Sequence, residues 1–335
     1  MWPAAAVRDL RGVDVRIIPA SANTQIAGVV RGKKLVDVMH PPDADVIVFQ
    51  RPTNVFLSQA IPLLRSKGIA CVVDMDDDLR TIHPSNPAFD ALHPNRGPKI
   101  HSWHNAAEAC KKATLITVST PALARRYGTE GRTFVIHNRV PKEFLDVEHE
   151  DSTLIGWGGS VHSHPNDLQV IGVAVSRLVT AGSKFRVIGN GEDVGRILGL
   201  NGSASATGLV RFHDWATTLT QLGVGIAPLA DTVFNQAKSW LKPLEYSAAG
   251  VPWVGSDRVE YRRLHELGCG VVVEKPREWE GALRKITRDE AWRRELSDRG
   301  RNVAANLTFE RGVDLWYAAW SRAMQLERIG DLISL

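Results

Sequence analysis

The sequence predicts an α/β protein of two domains, each a parallel sheet covered by helices, and three observations support this. First, short apolar runs rich in Val and Ile alternate with segments of helical periodicity, which is the pattern of βαβ units. Second, these runs are apolar at nearly every position, as strands buried on both faces of a parallel sheet are. Third, the 335 residues exceed the roughly 250–300 residues that one hydrophobic core usually holds.

Strands are predicted in both halves of the chain. The first half has five, at Val13–Pro19, Ala44–Phe49, Ala70–Asp74, Leu115–Ser119 and Arg132–His137. The second half has six, at Thr153–Trp157, Phe185–Gly189, Leu209–His213, Val224–Pro228, Pro252–Gly255 and Gly270–Glu274. Helices are predicted between them, at Asn54–Gly68, Ser102–Ala113, Pro121–Tyr127, Asp167–Ala181, Asp193–Leu200, Trp215–Leu222, Ser239–Ala249, Arg258–Leu267 and from Glu278 onward. Two such series predict two doubly wound, Rossmann-like domains.

The domain boundary is predicted in the polar segment between Asn138 and Ser152, which contains Pro141 and separates two strong strand signals. This gives an N-terminal domain at 1–145, a C-terminal domain at 150–310 and a helical tail at 311–335. Because open α/β sheets bind ligands at the carboxyl ends of their strands, residues that directly follow strands are the candidate site residues.

Composition argues against several classes of protein. The formal net charge is only +4, with both signs mixed along the chain, so no dedicated nucleic-acid-binding patch is predicted. The three cysteines lack metal-ligand spacing, so neither a zinc site nor a disulfide framework is predicted. We expect no targeting segment and no spanning helix of about 20 apolar residues. The expected location is the cytoplasm, with a peripheral membrane contact left open.

Two glycine-rich segments follow predicted strands of the second half. Gly156–Ser160 stands at a strand-to-helix turn, where backbone amides can approach an anion such as a diphosphate. A tight turn without a ligand fits this segment equally well. Gly189-Asn-Gly191 is a loose relative of the dinucleotide fingerprint, and Asp214 stands where an acid would hold a ribose. Its GxGxxxG spacing departs from that fingerprint.

The segment densest in functional residue types is Phe234–Val254, which follows the strand Val224–Pro228. Lys238, Lys242 and Glu245 recur at spacings of four and three, so they share one helix face. A carboxylate there can accept hydrogen bonds from ribose hydroxyls, and lysines can neutralise a diphosphate. A surface ion pair is the alternative. The apolar residues around the trio favour a helix packed beneath a sheet.

The run Lys242-Pro-Leu-Glu-Tyr-Ser-Ala-Ala-Gly-Val-Pro252 resembles the donor-binding signature of GT-B glycosyltransferases, most closely glycosyltransferase family 4 (group 1). Ile155–Ser160, Phe185–Gly191 and Ile226–Leu229 resemble other parts of that family's donor domain, in the same order. The resemblance covers roughly residues 45 to 325. It implies GT-B architecture, with two Rossmann-like doubly wound domains facing across a cleft. The acceptor would bind the first domain and the nucleotide sugar the second, and the final helix would cross back to the first domain.

The resemblance also implies roles for individual residues. Glu245 would hold the ribose, the base would sit near Gly189 and His213, and the diphosphate would lie against Gly158, Gly159 and Ser160. Lys238, Lys242 and the glycine-loop amides would stabilise the leaving diphosphate. The donor sugar would face Phe234, Asn235, Ala237, Lys238 and Ser239. No cofactor and no metal are expected, and the donor substrate would be a UDP, GDP or dTDP sugar.

Two positions depart from the family's pattern. Ala237 stands where the family often has a first Glu, eight residues before Glu245, so an acidic sugar contact is missing or supplied elsewhere. The family's Arg and Lys after the glycine loop are also absent, and the chain has His162, His164, Asn166 and Asp167 there. Lys238 and Lys242 are the candidates for the missing positive charge.

An acidic run, Asp74-Met-Asp76-Asp77-Asp78, closes a strand of the first half. A metal cluster, a helix N-terminal cap and an acceptor site with a carboxylate base all fit such a run. Related transferases often carry Asp-x-Asp-Asp here, so the resemblance favours the acceptor site, with Asp76 and Asp77 as candidate catalytic residues. Arg51, after the preceding strand, is a candidate contact for phosphate or acceptor.

The expected function is transfer of a sugar from a nucleotide diphosphate sugar to an acceptor hydroxyl, with retention of configuration and without a metal. The acceptor is open among glycan, lipid, protein and modified nucleobase. An NAD(P)-dependent oxidoreductase that uses the Gly189 loop is one alternative. A catalytically inactive sugar-nucleotide-binding protein is the other, suggested by Ala237 and by the altered phosphate loop.

Overall fold

The computed structural model describes residues 2–18, 26–93, 102–200 and 204–333. The chain divides into two compact units. The first comprises Met1–Pro84, Ala88–His137 and Gly312–Leu335, and the second comprises Ser85–Pro87 and Asn138–Arg311. Over the described ranges, no helix has both the length and the apolar character that crossing a membrane requires.

Strands and helices are numbered in chain order. The strands are β1 (Ala27–Arg31), β2 (Lys34–Met39), β3 (Val46–Gln50), β4 (Ala70–Met75), β5 (Leu115–Val118), β6 (Thr133–Val135), β7 (Ile155–Gly158), β8 (Phe185–Ile188), β9 (Ser205–Ala206), β10 (Val224–Ala227), β11 (Trp253–Ser256) and β12 (Val271–Val273). The helices are α1 (Trp2–Arg11), α2 (Val55–Arg65), α3 (Phe89–Leu92), α4 (Ser102–Lys112), α5 (Pro121–Tyr127), α6 (Ala174–Thr180), α7 (Glu192–Ile197), α8 (Trp215–Leu219), α9 (Val233–Gln236), α10 (Leu241–Ala248), α11 (Val259–Glu266), α12 (Pro276–Arg288), α13 (Glu290–Ala305) and α14 (Val313–Ile333).

A four-stranded parallel sheet of order β3-β4-β5-β6 forms the centre of the first unit. Its middle strands are buried on both faces, as Val72 and Val73 of β4 and Leu115 and Ile116 of β5 illustrate. Strands of this kind are the ones that the uniform apolar runs predicted. Each new strand of this sheet is added on the same side of the one before it, so the direction of winding does not reverse. The reversal that defines a doubly wound sheet is found in the second unit.

The helix α14 belongs to the first unit, where it packs against β3, β4, β5 and α1. Its Glu327 carboxylate is buried, with the Arg65 guanidinium 2.9 Å away. The Thr114 hydroxyl also donates a hydrogen bond to this carboxylate. These partners compensate the cost of removing a carboxylate from water, and they tie the end of the chain to the first sheet.

An antiparallel hairpin of β1 and β2 completes the first unit, and the sequence did not predict it. A Cβ on Gly28 would lie 2.6 Å from Leu35 and 2.7 Å from Phe56 of α2, so the hairpin packs closely on that helix. The strand predicted at Val13–Pro19 is wrong over residues 13–18, which form no regular element. Pro19 itself lies outside the described residues.

The second unit contains a six-stranded parallel sheet of order β12-β11-β10-β7-β8-β9. The chain begins at β7 in the middle, adds β8 and β9 on one side, and then returns to add β10, β11 and β12 on the other. This is the doubly wound strand order of the Rossmann fold. Its switch point, where the direction of winding reverses, lies between β7 and β10.

Two predicted elements of the second unit are corrected by the structure. The strand predicted at Leu209–His213 is wrong, because the edge strand is β9, and Phe212–Asp214 forms a 3-10 turn. The helix predicted at Asp167–Ala181 is interrupted: a 3-10 turn ends at Gly172, whose φ of 59° stops the helix before α6 begins.

Candidate donor and acceptor sites

The carboxyl ends of β7 and β10 lie side by side at the switch point, where ligands of doubly wound sheets bind. The glycine run leaves β7 here. The Gly158 amide donates to the Tyr246 hydroxyl at 3.1 Å, and the Gly159 amide donates to the Ile188 carbonyl at 3.0 Å. Both amides are thus engaged within the protein. What glycine supplies is space, because a Cβ on Gly158 would lie 2.7 Å from the Trp215 ring.

Lys242 reaches from α10 to this glycine run. Its ammonium group donates to the Gly158 carbonyl at 2.8 Å and lies 4.8 Å from the centre of the Trp157 ring. Burial lowers the pKa of Lys242 to about 8, against the opposing influence of Asp167 and Glu245. This half-buried ammonium group at the end of β7 places a positive charge where an incoming anion would lie.

Glu245 lies one helical turn after Lys242, at the wall of a pocket. The pocket has a volume of about 290 Å³ and is lined by Val210, Phe212, Trp215 and Glu245. The Trp215 indole N–H donates to Glu245 Oε2 at 3.0 Å. Burial raises the pKa of Glu245 to about 7, although the Trp215 hydrogen bond and Lys242 act in the opposite direction.

The chemistry of this pocket suits a nucleoside. Aromatic side chains stack on the faces of bases of any sequence, and a carboxylate accepts hydrogen bonds from hydroxyl groups. The Trp215 hydrogen bond fixes the orientation of the Glu245 carboxylate and occupies one of its oxygens.

Asp167 connects the loop that follows the glycine run to the loop that follows β10. Its Oδ1 accepts hydrogen bonds from the Ala230 amide at 2.9 Å and from Asn235 Nδ2 at 2.6 Å. Its Oδ2 lies 3.1 Å from His164 Nδ1. Asn235, a predicted donor-sugar contact, is buried here and also donates to the Ala230 carbonyl at 3.0 Å. Burial lowers the pKa of His164 to about 4, so its ring is neutral at pH 7.

Three other predicted donor residues lie near the same loops. The Lys238 ammonium is 4.5 Å from the centre of the Phe234 ring. The Ser239 hydroxyl accepts a hydrogen bond from Asn138 at 2.8 Å.

Two further predicted donor residues follow β8 and β9. Gly189 has a φ of 138°, and a Cβ there would lie 2.4 Å from the Gly159 carbonyl oxygen, so the two loops approach as closely as glycine permits. The His213 side chain is 67% exposed and lies 3.4 Å from Asp214. Its neighbour Phe212 lines the pocket instead.

In the first unit, Arg51 meets the acidic run at the carboxyl edge of the sheet. The Arg51 guanidinium lies 3.2 Å from Asp76 and 3.9 Å from Asp77. Arg51 has a φ of 45°, which is uncommon for a residue other than glycine and often marks a functional position. Its amide donates to the Asp74 carbonyl at 3.0 Å. The structure thus brings together Arg51, Asp76 and Asp77, which the sequence placed at two strand ends.

The other two carboxylates of the acidic run have partners inside the unit. Burial raises the pKa of Asp74 to about 6, and the Thr117 hydroxyl donates a hydrogen bond to it. Asp78 is paired with Arg126 at 3.0 Å and caps the following 3-10 turn. In the part of the chain that the structure describes, no group of three or more His, Cys, Asp and Glu side chains is arranged to hold a metal ion.

Comparisons with known proteins find matches among solved structures. No family model and no curated protein matches the chain. Sucrose-phosphate synthase from Thermosynechococcus elongatus superposes with a TM-score of 0.55 at 13% identity, over 86% of this chain and 73% of that one. HepE from Anabaena, in complex with UDP and glucose, gives 0.57 at 14% identity, over 82% and 76%. TarM gives 0.57 at 12% identity, over 82% of this chain and 54% of its own.

These neighbours are glycosyltransferases with the GT-B fold, so the predicted fold class is confirmed. At 12–14% identity the likeness shows the fold alone. The assignment to glycosyltransferase family 4 stays a prediction.

Sequence reasoning missed three residues that line the pocket, namely Val210, Phe212 and Trp215. The first two were assigned to a strand because they sit in a short apolar run. Trp215 stands 30 residues before Glu245, and no local spacing connects the two. One sequence signal could have indicated these residues: an apolar and aromatic run ends at a polar turn directly before a tryptophan.

Proposed function

We propose that the protein is a glycosyltransferase that moves a sugar from a nucleotide diphosphate sugar to an acceptor hydroxyl. The observation that carries this proposal is the pocket at Glu245, whose carboxylate is oriented by Trp215 beside an aromatic wall. HepE, which shares the fold, has been solved in complex with UDP and with UDP-glucose, and this supports a nucleotide as the occupant of the pocket.

In the proposed reaction, the base stacks in the pocket and the ribose hydroxyls donate to the Glu245 carboxylate. Lys242 and Lys238 face the diphosphate and stabilise the negative charge that grows on it as the bond to the sugar breaks. Because these lysines supply positive charge, we propose a reaction without a metal. The retaining course, in which the acceptor attacks from the face that the diphosphate leaves, rests on the resemblance to family 4.

The first unit is proposed to bind the acceptor, with Asp76 or Asp77 as the base that removes the proton from its hydroxyl. Arg51, which lies within ion-pair distance of both carboxylates, orients them.

A panel of nucleotides tests the proposal directly. UDP, GDP, dTDP and their sugars are compared with NAD and NADP by thermal shift and calorimetry, since a ligand at 100 times its Kd adds about 2.7 kcal/mol of stability. Glu245→Gln is expected to weaken nucleotide binding about tenfold, because hydrogen bonds to charged groups are stronger than neutral ones. Glu266→Gln, at the exposed end of α11, is the matched control. If no nucleotide diphosphate stabilised the protein, the proposal would fail.

Donor hydrolysis measured with and without a chelator tests the proposed independence from metals. The rate is expected to be unchanged by the chelator, because the lysines remain in place. Loss of the rate on chelation and its return with a divalent cation would contradict this part of the proposal and leave the nucleotide site standing.

A further inference from the structure

The hairpin of β1 and β2 presents apolar side chains that the packing of the first unit leaves in solvent. Four of them have large exposed fractions: Val29 40%, Val30 59%, Val36 36% and Met39 64%. Three of the four share one face of the hairpin. Val29 lies opposite Asp37 at a bulge that also includes Val36, and Met39 follows Asp37 by two residues. Val30 points to the other face. Single exposed apolar residues are ordinary, but several on one face mark a candidate contact surface. We call Val29, Val36 and Met39 the hairpin surface.

The hairpin is held firmly from beneath. Val38 is fully buried, and its carbonyl accepts a hydrogen bond from Lys67 at 2.9 Å. The same ammonium group lies 2.8 Å from Asp37. Since a two-stranded hairpin is only marginally stable alone, these contacts with α2 and its C-terminal turn maintain it. The hairpin is therefore a packed part of the first unit, and the exposure of its apolar side chains does not come from a frayed chain end.

Positive charge borders the hairpin surface. Lys33 lies in the turn, Arg31 and Lys34 are the strand residues on either side of it, and all three are exposed. Among the described residues, the structure pairs none of these three with an acidic side chain. Asp37, the single acidic residue of the two strands, is matched by Lys67. The hairpin thus combines exposed apolar side chains with a local excess of three cations.

We propose that the hairpin surface docks the protein peripherally on a bilayer rich in anionic phospholipid. Such a bilayer offers negative headgroups to the turn and an apolar interior to the valines and Met39, and peripheral binding scales with both. A second copy fits less well, because a two-fold contact would bring the same cations together. A nucleic acid would satisfy the cations but leave the apolar side chains without a partner.

Sedimentation of the full chain with vesicles tests this inference. Vesicles of equal phosphatidylcholine and phosphatidylglycerol are expected to bind the protein, phosphatidylcholine alone to bind little, and high salt to weaken binding by screening. The double variant Lys33→Glu/Lys34→Glu is expected to lower the partition coefficient at least 30-fold, at roughly 1 kcal/mol per basic residue. Val36→Ser/Met39→Ser is expected to lower it about tenfold, through lost apolar burial.

Matched controls lie in the second unit. Leu209→Ser removes an apolar side chain that is 99% exposed, and Lys184→Glu/Arg277→Glu makes the same change in charge at exposed positions. Neither is expected to alter vesicle binding, and all variants should keep the parental Tm. Equal binding to both kinds of vesicle, or equal loss in the controls, would overturn the proposal. So would hairpin variants that change self-association or protein binding while vesicle binding is absent.

Discussion

Trp215 and Glu245 show how single residues set the properties of the site. Burial pushes the pKa of the Glu245 carboxylate up to about 7, and the indole hydrogen bond opposes that rise by favouring the charged form. The same bond fixes the direction of the carboxylate. The capacity of Glu245 to hold a ribose therefore depends on a residue that the sequence motif does not include.

Trp215→Phe is expected to separate these effects, because it keeps a ring in the pocket and removes the N–H donor. Without the hydrogen bond, the pKa of Glu245 should rise further above about 7. Nucleotide affinity at pH 7 should fall about tenfold, and the difference from the parent should narrow toward pH 8. Calorimetry at several pH values measures both. Trp292→Phe in α13 is the control, and a Trp215→Phe variant with parental affinity at every pH would contradict the role.

Glu245 and Lys242 also predict a pH profile. Burial moves the pKa of Glu245 up to about 7 and the pKa of Lys242 down to about 8. Because the proposed reaction needs the carboxylate ionised and the ammonium protonated, kcat/KM for donor hydrolysis should rise toward pH 7 and fall above pH 8. Glu245→Gln should remove the acidic limb, and Lys242→Arg the alkaline limb. A profile that is flat from pH 6 to pH 9 would refute the assignment of these two residues.

At the scale of elements, the sequence predicted the uniformly buried strands and also the partly exposed β3 and β6. The runs that became β4, β5, β7 and β10 are apolar at nearly every position because both of their faces are covered. The hairpin was missed because Val29, Val30 and Val36 point to solvent, which removes the alternation by which a half-buried strand is found. Hydropathy alone cannot show which apolar residues a fold leaves outside.

The site was predictable where it lies on one helix and not where it joins distant elements. Lys242 and Glu245 were found because their spacing on α10 is visible in the sequence. The run that includes Phe212 was interpreted as a strand, since an apolar run serves a sheet or a pocket equally well. Asn235 was predicted to contact the donor sugar, and its hydrogen bond to Asp167 connects segments whose proximity only the fold creates.

The attachment of α14 predicts a stability effect. Glu327→Gln should destabilise the first unit by about 1–3 kcal/mol, because a buried carboxylate loses its charge while Arg65 keeps its own. Arg65 is 34% exposed, so solvent screening holds the effect near the lower end. Urea unfolding measures it. Glu295→Gln removes an exposed pair with Arg299 in α13 and should cost under about 0.5 kcal/mol. Equal effects would show that α14 does not depend on this contact.

At the scale of the whole molecule, the chain enters the second unit at Asn138 and leaves it at Arg311. The segments near these two residues lie side by side. The entering segment pairs with the leaving one: the Val140 amide donates to the Leu307 carbonyl at 3.1 Å, and the Phe309 amide donates to the Val140 carbonyl at 3.0 Å. The proposed donor residues all lie between these two segments. Nucleotide binding is therefore expected to be a property of the second unit.

This separation predicts that binding and transfer respond to different residues. Asp76→Asn/Asp77→Asn in the first unit should leave the Kd for the nucleotide unchanged, because no proposed nucleotide contact is altered. Transfer to an acceptor should fall about 10²–10⁴-fold, the usual effect of losing a general base. Asp90→Asn, an exposed carboxylate of α3, is the control. Calorimetry and product formation, measured on the same preparations, decide the matter. A loss of nucleotide affinity as large as that of Glu245→Gln would place the acidic run in the donor site and contradict the division of roles between the two units.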